Sequence, residues 1–185
     1  MITNKRAEII PAGSTDLISI RDAATRIWNE YYPSIISQAQ IDYMLAMDYS
    51  PEKLQEDMDS GVHIDKLLLD GRLIGFSAYG PIQDQLTEAI ILKLHKIYID
   101  PQVHGMGLGS LLLKKVEAFA RTCHYPKISL QVNKGNERAI KAYKSNGYIV
   151  ERAATVDIGA GFVMDDYIMV KQLTIADQQP EGAQA

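Results

Sequence analysis

A chain of 185 residues that is 46% hydrophobic, with a formal net charge of −4 and a pI near 5.5, can bury one full core but not two comfortable domains. Its acidity, with no basic block to offset it, excludes nucleic acid as an expected partner; the lone Cys123 excludes an internal disulfide, and the four scattered histidines have no zinc-ligand spacing. No apolar run reaches bilayer length and the N-terminus carries no signal-peptide core, so the expectation is a soluble, cytoplasmic protein without membrane or metal.

Ala7 to Pro11 is expected to form an edge strand. From Ser14 to Tyr32, Leu17, Ile20, Ala24, Ile27, Trp28 and Tyr31 recur at helical spacing behind Ser14/Thr15 as cap. Ile35 to Asp48 repeats the pattern, with Ser37 and Gln40 spaced as a capping box, and Ser50-Pro51 should open a third helix ending by Gly61. The period then changes. Val62 to Leu69 and Arg72 to Tyr79 alternate around Asp70-Gly71 as a hairpin, and after the polar stretch Pro81 to Glu88 comes a long central strand, Ala89 to Ile99, stopped by Asp100-Pro101. A helix follows with Leu108, Leu112, Val116, Phe119 and Cys123 on one face. Lys127 to Val132 reads as a strand, Asn136 to Asn146 as a helix closed by Gly147, and Tyr148 to Val156 with Phe162 to Val170 as a hairpin. The domain should span 1–173, and 174–185 reads as a disordered tail.

The segment from Ile97 to Ser110 carries the most chemical information, because Gly105, Gly107 and Gly109 alternate between a strand end and a helix start. Backbone amides in a first helical turn have no intrahelical acceptor, glycine lets backbone approach a ligand closely, and the helix dipole favours an anion such as pyrophosphate. A dinucleotide fingerprint fails, since Ser110 occupies the third glycine position and no acid follows about 20 residues on. A nucleoside-triphosphate loop fails for want of a Gly-Lys pair. A purely structural tight turn competes with the cradle reading.

What remains, a Gly-x-Gly-x-Gly cradle after a strand that ends in proline, resembles the acetyl-coenzyme A loop of the GNAT acetyltransferase superfamily. The downstream run from Asn133 to Tyr148, with Asn133, Asn136, Ala139, Tyr143 and Gly147-Tyr148, is similar to that superfamily's second signature. The resemblance follows the order of elements from Ala7 to Val170, and its sequence-specific part is Lys96 to Tyr148.

The resemblance implies one α/β domain with a mostly antiparallel sheet of about six or seven strands, V-shaped at one parallel pair and flanked by helices. It implies acetyl-CoA as cosubstrate, bound by Ile97, Tyr98 and Ile99 of the splayed strand, by His104, Gly105, Met106, Gly107, Leu108, Gly109 and Ser110 of the cradle, and by Asn133, Asn136 and Tyr143. His104 stands where the superfamily usually has Gln or Arg, so its coenzyme contact would be weaker or pH-dependent, or else it is a solvent-facing loop residue with no ligand role. Tyr143 is implied as proton donor to the leaving thiolate, or else is core, and His95 as the base that takes the amine proton, or else is a hydrogen-bonded strand residue. Trp28, Glu30, Tyr31, Tyr32 and Tyr79 are candidates for the acceptor wall, where aromatic faces and an acid would hold a cationic amine, with Asp42 and Tyr43 beside them, or else they are helix core and solvated acids. The expected activity is acetyl transfer to a primary amine of a small molecule, polyamine-type first, since Trp28 to Leu45 also resembles the acceptor region of small bacterial polyamine-type acetyltransferases. A non-catalytic acyl-CoA-binding sensor is the alternative, and whether the chain forms a homodimer stays open.

Overall fold

A computed structural model describes residues 6–173, so the tail expected at 174–185 lies outside the described residues. Helix α1 (Leu17–Tyr31) buries Leu17, Ile20, Ala23, Ala24, Ile27 and Trp28, steps of three and four that keep one face inward. Its start differs from expectation. Ser14 and Thr15 sit in a short 3-10 turn, and the Asp16 carboxylate instead accepts the Gly13 backbone N–H at 2.9 Å. At α2 (Gln38–Asp48) Ser37 accepts the Gln40 backbone N–H at 3.2 Å, but the Gln40 side chain leaves the box half closed by donating to the Val163 carbonyl at 3.0 Å. Helix α3 (Pro51–Asp59) begins as expected, with Ser50 accepting the Lys53 N–H and proline in the first turn.

Seven strands form one sheet in the order β1 (Ala7–Pro11), β2 (His63–Leu69), β3 (Arg72–Gln83), β4 (Ile90–Ile99), β5 (Lys127–Asn133), β7 (Phe162–Gln172) and β6 (Ile149–Gly159). Every pairing is antiparallel except β4 with β5. Strand β3 runs past Tyr79 through Pro81, which is tolerated because β2 ends opposite Tyr79 and leaves that stretch with β4 as its only neighbour. Helices α1 to α3 pack over Ile64, Phe76 and Ala78, while α4 (Leu108–Thr122) and α5 (Glu137–Ser145) cover Leu92, Leu94, Ile128, Leu130 and Met169. Cys123 departs from the expected buried stripe of α4: it is the exposed residue that ends the helix, and Ala120 takes the inward position.

The sheet opens in its middle. Strand β4 pairs with β5 at only three positions, Leu92 with Ile128, Lys93 with Ser129 and Leu94 with Leu130. Directly after them the β3–β4 register slips: Tyr79 faces Leu94 and Ala78 faces Lys96, so His95 is a bulge with nothing opposite. A bulge bends and twists its strand, and from there Ile97 to Ile99 stay with β3 while β5 turns away to β7.

Candidate functional site

The opened seam is the floor of a cleft of about 620 Å³, walled by α1 and α2 on one side and by the start of α4 and α5 on the other. Its mouth is the turn between β4 and α4. Gly105 and Gly107 have φ of 85° and 77°, the left-handed region that favours glycine, and a Cβ built on either would meet nothing within 4 Å, so the space above this turn is open. Gly107 caps α4 and the first intrahelical bond comes from Leu111, leaving the amides of Leu108, Gly109 and Ser110 free of helical acceptors. Free amides, an open surface and the positive end of a 15-residue helix suit an anion.

Most of the residues singled out from sequence meet in this cleft. Trp28, Tyr31, Tyr32, His95, Ile97, Tyr98, Ile99, His104, Gly105, Gly107, Leu108, Gly109, Ser110, Asn133, Asn136 and Tyr143 all line it. Three do not. Met106 points to solvent between its two glycines, although its backbone belongs to the turn. Glu30 is on the exposed face of α1, two residues and therefore about 200° around the helix from buried Trp28. Tyr79 packs on Phe119 and His63 at 5.1 and 5.8 Å, and its hydroxyl donates to buried Asp65 at 2.8 Å, on the α4 side of the sheet. Asp42 and Tyr43 are also committed elsewhere, to Gln38 and to the Ile158 carbonyl.

The acceptor side is an aromatic wall. Trp28 stacks on Tyr32 at 4.4 Å, and Tyr49 and Tyr98 stand 5.7 to 5.8 Å from the Trp28 ring. Lys96 lies 5.4 Å above the Tyr49 ring and pairs with Asp57 at 3.1 Å. Tyr143 is 9% exposed at the end of this wall; burial, with Tyr148 and Tyr31 near, holds its phenol well above the ordinary value, so it stays protonated.

Each polar group in the cleft has a distinct state. His95 is exposed at the bulge, yet desolvation by the cleft walls around it, then the charges of Lys93 and Lys96, lowers its imidazole to about 4, so it is neutral and a weak base at pH 7. Lys93 is lowered too, by burial and then by Lys96. At the mouth, His104 Nε2 donates to the Ile99 carbonyl at 3.0 Å and its ring meets Tyr31 edge-on, which fixes it against β4; burial and then Arg138 lower its pKa. The Asn136 side-chain oxygen caps α5 through the Ala139 N–H and accepts the Tyr31 hydroxyl at 2.9 Å, and Asn133 accepts the Gly135 N–H. These two asparagines shape the cleft wall by bonds within the protein.

Besides Tyr49, Lys93 and Lys96, sequence reasoning missed three charged residues of the cleft. Arg138 stands in the first turn of α5, and its charge reaches Tyr31 and His104 at the mouth. Asp48, at the end of α2, is raised by burial and has no hydrogen bond among the described residues. Asp166 of β7 is 3% exposed and raised to about 6, by burial first and the charge of Asp165 second, with Lys134 acting the other way. A polar residue at an inward position of an alternating strand was the available signal.

Among the described residues no helix is long and apolar enough to cross a membrane. The family model described as the acetyltransferase (GNAT) family matches residues 21–148. Spermidine N(1)-acetyltransferase of Thermoplasma acidophilum is 27% identical over 163 residues, covering 85% of this chain and 95% of that protein. An uncharacterized N-acetyltransferase of Mycobacterium tuberculosis is 33% identical over 104 residues, 56% of this chain; the match spans 63% of that relative's length. The crystal structure of the PaiA N-acetyltransferase of Thermoplasma acidophilum with coenzyme A superimposes with a TM-score of 0.77 at 24% identity, over 91% of this chain and 99% of that one. With its seam opened at a single parallel pair and a family match over more than half of its length, this chain belongs to the GNAT acetyltransferase family.

Proposed function

We propose that the protein moves acetyl from acetyl-CoA to a primary amine of a small molecule, with polyamine-type amines ahead of others. The observation that carries this reading is the bulge at His95, where β4 leaves β5 and opens a cleft that runs to the free amides of Leu108 to Ser110. Those amides, with Arg138 across the mouth, would hold the coenzyme pyrophosphate, and the backbone of Ile97 to Ile99 facing the seam would hold the pantetheine arm. The coenzyme supplies the activated thioester; the chain supplies position and charge.

Transfer needs a neutral amine, a donor for the carbonyl oxygen as it gains charge, and a proton for the leaving thiolate. The burial that chiefly lowers His95 and Lys93, with the neighbouring lysine charges second, also disfavours an ammonium placed beside them, so this wall favours the neutral, attacking form of the amine. His95 is therefore better placed to accept a hydrogen bond than to act as a strong base. An Ile97 or Tyr98 backbone N–H would meet the carbonyl oxygen. Tyr143 would be the acid, a phenol kept protonated by burial.

The spermidine-acetyltransferase relatives support the finer choice of acceptor, as do the aromatic wall and the unpaired carboxyls of Asp48 and Asp166. An initial-rate panel at equal concentration tests it: polyamines should be acetylated faster than amino acids, amino sugars or uncharged amines, and their KM should rise with salt. Faster acetylation of uncharged or anionic amines than of any polyamine would defeat the choice of acceptor.

A further inference from the structure

Asp165 and Asp166 are consecutive on β7, and strand alternation sends them to opposite faces. Asp165 is exposed and well supplied with donors, Lys134 Nζ at 2.5 Å and Thr155 Oγ1 at 3.2 Å. Lys134 also lies 5.6 Å over the Tyr167 ring, which keeps its charge on that outer face. Asp166 is the reverse case: it is 3% exposed, lines the cleft beside Met164, and no donor among the described residues reaches its carboxylate. A buried carboxylate without a partner opposes folding, and a neutral side chain of the same size would not. Its presence is explained if its partner arrives with a ligand.

Its place in the cleft says which ligand. Asp166 pairs with Asn133, three residues beyond Leu130 where the β4–β5 ladder stops, about 10 Å along the strand. On the β4 side, Lys93 and Lys96 flank His95; Lys96 is paired with Asp57 at 3.1 Å, while Lys93 donates to Gln131 and has no carboxylate partner among the described residues. Asp166 and Tyr32 line the same cleft, so the carboxylate shares it with the aromatic wall. One amine can satisfy one wall only. A molecule with amines at both ends satisfies both, a neutral nitrogen beside the lysines and an ammonium at the carboxylate.

We propose that Asp166 is a specificity-determining carboxylate that receives the second, non-reacting ammonium of a diamine or polyamine acceptor. The proposal rests on the reading of the chain as an amine acetyltransferase and narrows it. Diamine and monoamine pairs of equal length test it, putrescine against butylamine and cadaverine against pentylamine, with initial rates on the full chain. Wild type should show a KM for each diamine at least about tenfold below that of its monoamine. In Asp166→Asn the diamine KM should rise to the monoamine value, while the monoamine KM and the calorimetric affinity for coenzyme A move less than about twofold. Asp165→Asn removes the same charge one residue away on the outer face and should keep the preference. Retention of the diamine preference in Asp166→Asn, or its equal loss in Asp165→Asn, would overturn the role of Asp166 and leave amine transfer standing. A wild-type enzyme that acetylates monoamines as well as diamines would do the same, whereas one that acetylates no amine would overturn both.

Discussion

Replacing Asp166 by Asn should make the protein more stable, in a way that depends on pH. The carboxyl is raised from an ordinary 3.8 to about 6, so between those values the folded protein holds a proton that the unfolded chain has released. Stability from this group is then greatest in acid and falls as pH rises from about 4 through about 6, with the full penalty in place by about pH 7. The interval corresponds to a ceiling of roughly 3 kcal/mol, and because the group lines an open cleft, about 1–2 kcal/mol is expected. Asn keeps the shape and has no charge to bury. Urea or thermal unfolding of both proteins should therefore coincide at about pH 3 and separate by about 2–8 °C in Tm at about pH 7.5, with Asn the more stable. Diamine at a fixed concentration should narrow the gap, because it binds wild type more tightly and stabilises it more than the variant. A variant less stable than wild type near neutral pH, or a difference that does not change with pH, would mean that Asp166 already has a partner within the fold.

Other outcomes follow from the same geometry. Tyr143→Phe keeps the ring and its packing, so Tm and coenzyme affinity should hold while kcat falls roughly 10²-fold, about 3 kcal/mol of barrier; kcat within twofold, with chemistry rate-limiting, would remove Tyr143 as the acid. Gly107→Val puts a branched side chain at φ 77° in the space above the turn and should weaken coenzyme A binding about tenfold. The matched change Gly161→Val, at φ 79° and equally open, should lower stability and leave coenzyme affinity intact; equal losses in the two would reduce the Gly107 effect to backbone strain. A Cβ on Gly75 would lie 2.5 Å from the Tyr98 carbonyl oxygen and 3.2 Å from Ile99 Cα, so Gly75→Ala must displace the seam edge of β4 and should cost about 1–3 kcal/mol, read by urea unfolding.

The order of elements was legible because each has its own period. Helical spacing gave way to alternation at Val62, and Ser37, Ser50 and Gly147 marked ends that the structure reproduces. The turn of Gly105 to Ser110 could be located from glycine spacing alone. Charged residues at the acceptor side were harder to place. Glu30 and Asp42 were near the right aromatics in sequence but on the outer faces of their helices, whereas Asp166 reaches the cleft from a strand more than a hundred residues downstream. The bulge at His95 depends on how β4 registers against Ala78 and Tyr79, a pairing that no local pattern contains. The states of His95 and His104 were illegible for a related reason: both are set first by burial in the cleft, then by the charges of Lys93 and Lys96 on one and of Arg138 on the other.

The central claim is that the opened seam is used for transfer and not for binding alone, and the fate of a labelled acetyl group decides it. With the purified full chain, radiolabelled acetyl-CoA and spermidine near neutral pH, label should pass to the polyamine in step with release of coenzyme A thiol, and neither should occur when the amine is left out. Tight binding of acetyl-CoA with no label on spermidine or on any other amine offered would contradict the claim, and would leave the chain as a sensor of acyl-CoA.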